Sequence, residues 1–129
     1  MGAGLSALLY NYDGDVYASD EGRMLAEMGD KRYRLGNVHE NTWRELYLES
    51  DVLDLAHRTM NEGLVGCSEC AFQAWCGSDP VFHHATQGDE MGHRPTSSFC
   101  RRNMEVMRHL VTILEDRPDD ARILRRWAQ

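Results

Sequence analysis

Two short, mostly apolar segments, residues 8–11 and 16–18, lie on either side of Asp13-Gly14. Short apolar runs bounded by turn residues predict strands, and glycine supplies the positive φ that tight hairpin turns need, so residues 5–20 are expected to form a β-hairpin. Residues 21–28 read as one or two helical turns, and residues 33–38 as a short extended segment entering a turn. The period then becomes helical. Thr42-x-x-Glu45 is a capping-box pattern, followed by an apolar face of Trp43, Leu46 and Tyr47. Ser50 is expected to cap a second helix, with Val52, Leu53, Ala56 and Met60 on one side and Gly63 as its stop. Residues 64–96 show no period and contain Pro80 and Pro95. They predict irregular backbone with one or two helical turns. Thr96, Ser97 and Ser98 each offer a cap for a long helix to about residue 115, striped by Met104, Met107, Leu110, Val111 and Leu114. Pro118 breaks the chain, and Asp119 starts a last helix bearing Ile123, Leu124 and Trp127.

The expected fold class is therefore α+β, mostly α, with a small N-terminal β-hairpin followed by helices around a cysteine-bearing loop. One domain is expected over 1–129: hairpin 5–20, helical region 40–63, cysteine loop 64–100 and C-terminal helices 97–129. The length of 129 residues suits one domain with a real core and is too short for a large enzyme barrel.

Charge narrows the partners. The net charge is −7, and the basic residues are 13 arginines and Lys31 alone. They are scattered, apart from a small group at Arg122, Arg125 and Arg126, so the basic face of a nucleic-acid binder is not seen. No apolar run approaches the roughly 20 residues that span a bilayer, and no secretory signal is visible. A cytoplasmic protein with no nucleic-acid or membrane partner is expected. Residues 1–6 fit only the loose outline of a myristoylation signal.

The chemistry lies in four cysteines, Cys67-x2-Cys70-x5-Cys76 and then Cys100, which are all the chain has. Two disulfides would allow three pairings, but clustered cysteines without a secretion signal more often bind metal. Structural zinc wants four tetrahedral ligands, commonly two Cys-x2-Cys pairs, and here the second half has no pair; His83, His84 and His93 compete as ligands. An iron–sulfur cluster wants four thiolates. Cys100 falls in the first turn of the long helix, where backbone N–H groups and the positive helix end face an anionic centre and favour thiolate. This supports a metal without choosing between iron and zinc.

Beyond spacing, the chain resembles the SPASM domain, the C-terminal auxiliary-cluster domain of many radical SAM enzymes that modify peptides. The central Cys-x2-Cys-x5-Cys of that family is matched by Cys67, Cys70 and Cys76, and its closing cysteine by Cys100. Gly77-Ser78-Asp79-Pro80 after Cys76, and Gly92-His93-Arg94-Pro95, look most like the His-Xaa-Ser system maturases. The resemblance implies that these four residues hold one auxiliary 4Fe–4S cluster, with zinc as the alternative or substituted metal. It also implies a radical SAM barrel as partner, in the same chain or as a subunit, and a ribosomally made peptide as substrate. Three family positions depart: Ser19 and Pro80 stand where cysteines of a second cluster would be, and no cysteine precedes the hairpin. The S-adenosylmethionine-cluster motif and the barrel are missing, so the chain is expected not to be catalytic alone. It is expected to be a domain of a longer enzyme or a stand-alone relative. The rival class is a non-catalytic zinc module that binds protein or peptide.

Other residues carry two readings each. Asp20 is the one catalytic candidate, as a proton acceptor, against a plain helix-cap acid. His83 and His84 line a peptide channel or sit as partly exposed loop residues. His93 and Arg94 hydrogen-bond cluster sulfurs or make loop contacts. Trp75 shields the cluster or is ordinary core. The methionines of the long helix are core or an adaptable docking face.

Overall fold

A computed structural model describes residues 7–128, in two compact units, one ending at Arg94 and the other beginning at Pro95. The first unit opens with three short antiparallel strands in the order β1 (Leu9–Tyr10), β2 (Asp15–Tyr17) and β3 (Arg34–Asn37). The Asp13-Gly14 turn forms as expected. Gly14 has φ +86, and its N–H donates to Asn11 O at 3.0 Å while Asn11 N–H donates to Asp15 O at 2.8 Å. The hairpin is joined by a third strand, so the N-terminal element is a sheet rather than a hairpin alone. Val16 pairs with Gly36 but Tyr17 with Arg34, which leaves Leu35 as an extra residue in β3. Such a bulge bends the strand locally. Residues 5 and 6 of the predicted hairpin, and the myristoylation pattern, lie outside the described residues.

Side chains fix the strand ends. Buried Asn37 donates from Nδ2 to Asp13 O at 3.1 Å and to Asp15 Oδ1 at 2.9 Å, and its Oδ1 accepts from His39 N–H at 2.9 Å. Arg34 Nη2 lies 2.7 Å from Asp15 Oδ1. That bond, with help from Asn37, holds the Asp15 carboxyl down at about 2. A depressed carboxylate stabilises the fold above its unfolded pKa and loses that contribution as pH falls through the folded one. Arg34 is one-third exposed, so solvent screening leaves on the order of 1–2 kcal/mol, lost between about pH 4 and pH 2. Asp15→Asn is expected to flatten this part of the profile; equal slopes of melting temperature against pH in the two proteins would refute it.

The helices follow their caps. Helix α1 (Asp20–Glu27) starts at Ser19, whose side chain accepts from Gly22 N–H at 3.1 Å. Helix α2 (Trp43–Tyr47) carries both bonds of the predicted capping box, with Thr42 N–H on Glu45 Oε2 at 2.7 Å and Glu45 N–H on Thr42 Oγ1 at 3.3 Å. Ser50 does not cap the next helix. Its hydroxyl turns back to Leu46 O at 2.6 Å, and Asp51 precedes α3 (Val52–Arg58). The buried side of α3 is Val52 and Leu55 with Thr59, while Leu53 and Met60 are exposed, because α3 meets Tyr33 and Val81 along that other stripe. Helix α4 (Pro80–Gln87) interrupts the irregular region and supplies Val81 to the core with Tyr33 and Leu55. Tyr33 OH donates to Pro80 O at 3.2 Å, tying the turn before β3 to the start of α4. Burial raises the Tyr33 hydroxyl pKa well above its usual value, so it stays a donor.

The second unit pairs α5 (Ser98–Asp116) with α6 (Pro118–Trp127). Of the three offered caps, Ser97 is used: its side chain accepts from Cys100 N–H at 3.2 Å. Pro118 both ends α5 and opens α6, since a proline lacks only an N–H that the first helical turn leaves unused. Leu110, Val111 and Leu114 of the predicted stripe are 39–42% exposed. Arg122, Arg125 and Arg126 are exposed on α6, as expected of a solvated face. Among the described residues, no helix is long and apolar enough to cross a membrane.

Candidate metal centre

After α3 the chain proceeds by successive tight turns, and these carry three of the four cysteines. A 3-10 turn over Asn61–Gly63 leads to buried Leu64, whose carbonyl accepts from Cys67 N–H at 3.0 Å and Ser68 N–H at 3.1 Å. Cys70 N–H donates to Cys67 O at 3.0 Å, Gln73 N–H to Cys70 O at 3.0 Å, and Cys76 N–H to Gln73 O at 3.3 Å. The last turn is the 3-10 segment Gln73–Trp75. The backbone therefore satisfies itself locally, without a sheet or long helix. Asn61 Nδ2 donates to Cys76 O and pins the two ends of the loop together. Asp79 then caps α4 through Phe82 N–H at 2.9 Å, with Pro80 as first helical residue.

Cys67, Cys70 and Cys76 are half-buried on this loop of the first unit, and Cys100 is half-buried in the first turn of α5 in the second. No disulfide joins any of them. Cys76 Sγ donates to Gly77 O at 3.6 Å. Among the described residues, no three His, Cys, Asp or Glu side chains converge closely enough to hold a metal ion. The turns thus present thiols without closing a cage. The donor chemistry nevertheless suits a soft, thiolate-loving metal. A cleft of about 260 Å³ opens beside Cys76, lined also by Thr59, Asn61, Gln73 and Ser78.

The remaining candidates are placed as follows. Asp20 is an exposed acid in the first turn of α1, paired with Arg23 at 3.0 Å. Ser19 and Pro80, which stand where the resemblance would put further ligands, both begin helices here. His83 and His84 are not loop residues: both lie on α4, because Asp79 and Pro80 start a helix that spacing alone did not assign. His83 is 0% exposed. His84 Nε2 meets Asp30 Oδ2 at 2.7 Å, a bond that lowers the Asp30 pKa. His93 is exposed and held by its backbone. Trp75 is 72% exposed and covers no core.

Two of the residues singled out in the sequence carry a feature visible only in three dimensions. Arg94 Nε and His84 Nδ1 are buried polar atoms with no hydrogen-bond partner among the described residues. Compared with protein-family models, with curated proteins and with solved structures, the chain matches none.

Proposed function

We propose that this chain is an auxiliary-cluster domain of a radical SAM enzyme that modifies a ribosomally made peptide, with Cys67, Cys70, Cys76 and Cys100 holding one 4Fe–4S cluster. The observation that carries the reading is the cysteine loop itself. Three half-buried thiols sit on consecutive turns whose backbone needs nothing from a metal, tied at both ends by Asn61. The fourth thiol begins a 19-residue helix, where the positive helix end favours an anion.

When bound, such a cluster supplies electron transfer and order to the substrate site. The chain's own residues would do the rest. Ser97 holds the first turn of α5 in register for Cys100, and the cleft beside Cys76 offers room for a peptide side chain next to the centre. The initiating radical chemistry belongs to a separate barrel.

Anaerobic reconstitution with iron and sulfide tests this. About four iron atoms per chain with broad absorbance in the visible-blue region support the cluster. Stoichiometric zinc with no such band assigns the chain to a zinc module instead. Uptake of neither defeats both.

A further inference from the structure

The unit formed by α5 and α6 has little core of its own. Among its described residues, the buried ones are Ser97, Phe99 and Ala121. It begins at Pro95, so it falls short of the roughly 40 residues below which a lone unit usually needs a staple or an oligomer. Yet it displays apolar surface. At about 3.6 residues per turn, Val106, Met107, Leu110, Val111, Ile113 and Leu114 all fall on one half of α5, and polar residues fill the other. Val106, Leu110, Val111 and Leu114 are exposed. On α6, Ile123 and Trp127 are one turn apart and also exposed, Trp127 to 79%. A contiguous exposed apolar face of this kind marks a surface that another molecule covers.

The charges of α5 say which. A helix favours acids in its first turn and bases in its last, where free N–H and C=O groups leave partial charges. Helix α6 obeys, with Asp119 and Asp120 at its start and Arg125 and Arg126 at its end. Helix α5 does the reverse. It has no acid in its first turn and no base in its last; Arg101 and Arg102 lie within its first five residues, and Glu115 and Asp116 close it. All four are exposed. Arg102 lies over the Phe99 ring, 5.2 Å from its centre, which leaves the guanidinium edge free to meet an acid. None of the four belongs to an ion pair among the described residues. Placed against the dipole of their own helix, these charges are unfavourable locally and are relieved only by opposite charges from outside it.

We infer that the apolar face of α5 is a self-association surface, and that its occupant is the α5 of a second copy of this chain, running antiparallel. An antiparallel helix with a basic start and an acidic end is complementary to itself. Setting Val106 against the partner's Val111 and Met107 against the partner's Leu110 brings Arg101 and Arg102 opposite the partner's Glu115 and Asp116. The two-fold axis repeats the same contacts at the other end, as a closed isologous interface requires. Methionine suits the centre, since its flexible side chain fills an irregular seam. A parallel pair would set arginine against arginine and acid against acid. The dimer is independent of whether the cysteines bind metal.

Sedimentation equilibrium of the metal-free, thiol-reduced full-length chain, over a wide range of concentration and salt, tests this. Wild type is expected to be a reversible dimer that loosens as salt screens the end charges. Two double variants reverse one set of charges each: Arg101→Glu with Arg102→Glu, and Glu115→Arg with Asp116→Arg. Both leave the apolar face intact. Each alone is expected to raise the dissociation constant at least about tenfold, because like charges now face each other. Their equimolar mixture is expected to recover a dimer with one chain of each kind. A wild type that stays monomeric at millimolar concentration, or that forms trimers or larger, overturns the inference. So do folded double variants that dimerise as tightly as wild type, or that fail to pair when mixed. Should a double variant not fold, Arg102→Gln and Glu115→Gln probe the same contacts, and wild-type dissociation constants in both overturn it equally.

Discussion

Cys70→Ala is expected to abolish metal binding and to bring the melting temperature of reconstituted protein down to that of the metal-free chain. The physical reason is the separation of backbone from thiol in this loop. Cys70 keeps its turn through its N–H on Cys67 O and its carbonyl under Gln73 N–H, each at 3.0 Å. Alanine retains both bonds, so the metal-free chain should melt close to wild type. What disappears is the thiolate. A thiolate-bound structural metal contributes on the order of 10 kcal/mol of apparent binding energy, against about 5–15 kcal/mol for a whole domain. Iron or zinc content and thermal melting, with and without metal, check this. A Cys70→Ala chain with full metal content and wild-type melting would sink the metal reading. Cys100→Ala should give the same loss, because the proposal takes its fourth ligand from α5.

Gly92→Ala carries the second-largest expected effect, and it does not depend on metal. Two costs add. A non-glycine residue at φ +69 sits in the left-handed region, at roughly 1–2 kcal/mol. The new methyl would also stand 2.6 Å from the ring of His83, which is wholly buried, and 2.9 Å from Gln87 Oε1. Overpacking of that kind costs roughly 1–3 kcal/mol. The sum is about 2–5 kcal/mol, a large share of the stability of a small domain. Gly88→Ala is the control. It has a similar φ of +72 but nothing within 4 Å of the added Cβ, so only the backbone cost should appear. Chemical denaturation of the three metal-free proteins separates the two terms. Equal losses for Gly88→Ala and Gly92→Ala would show that the His83 ring yields to the added methyl.

Much of the local structure was legible in sequence because its causes are local. The Asp13-Gly14 turn, the Thr42–Glu45 box, a cap within residues 96–98 and the Pro118 break are each decided within four residues, by φ preference or by one side chain meeting a nearby N–H. Helix α3 shows where that reasoning ends. Ser50 and Asp51 are both good caps, and the apolar residues Val52, Leu53, Leu55 and Ala56 fit more than one face. The choice fell to the partners, Tyr33 and Val81, which arrive from distant parts of the chain and pack with Leu55. The third strand is similar: four residues containing a glycine and a bulge give little alternation to read, yet β2 offers them an edge.

The candidate site divides in the same way. The identity of the donors, their spacing and the absence of other thiols are properties of the sequence, and so is the expectation of a thiolate-held metal. That His83 is a buried helical residue rather than a loop ligand was decided by tertiary packing, since Asp79 and Pro80 start α4 and Gly92 lets the chain close over the ring. Packing likewise set Arg94, already singled out by its motif, against His83 and Met91 and beside Gly66, with Nε left without a partner among the described residues. A sequence states which groups can bond. Only the fold removes water from some of them, as it does from the ring of His83.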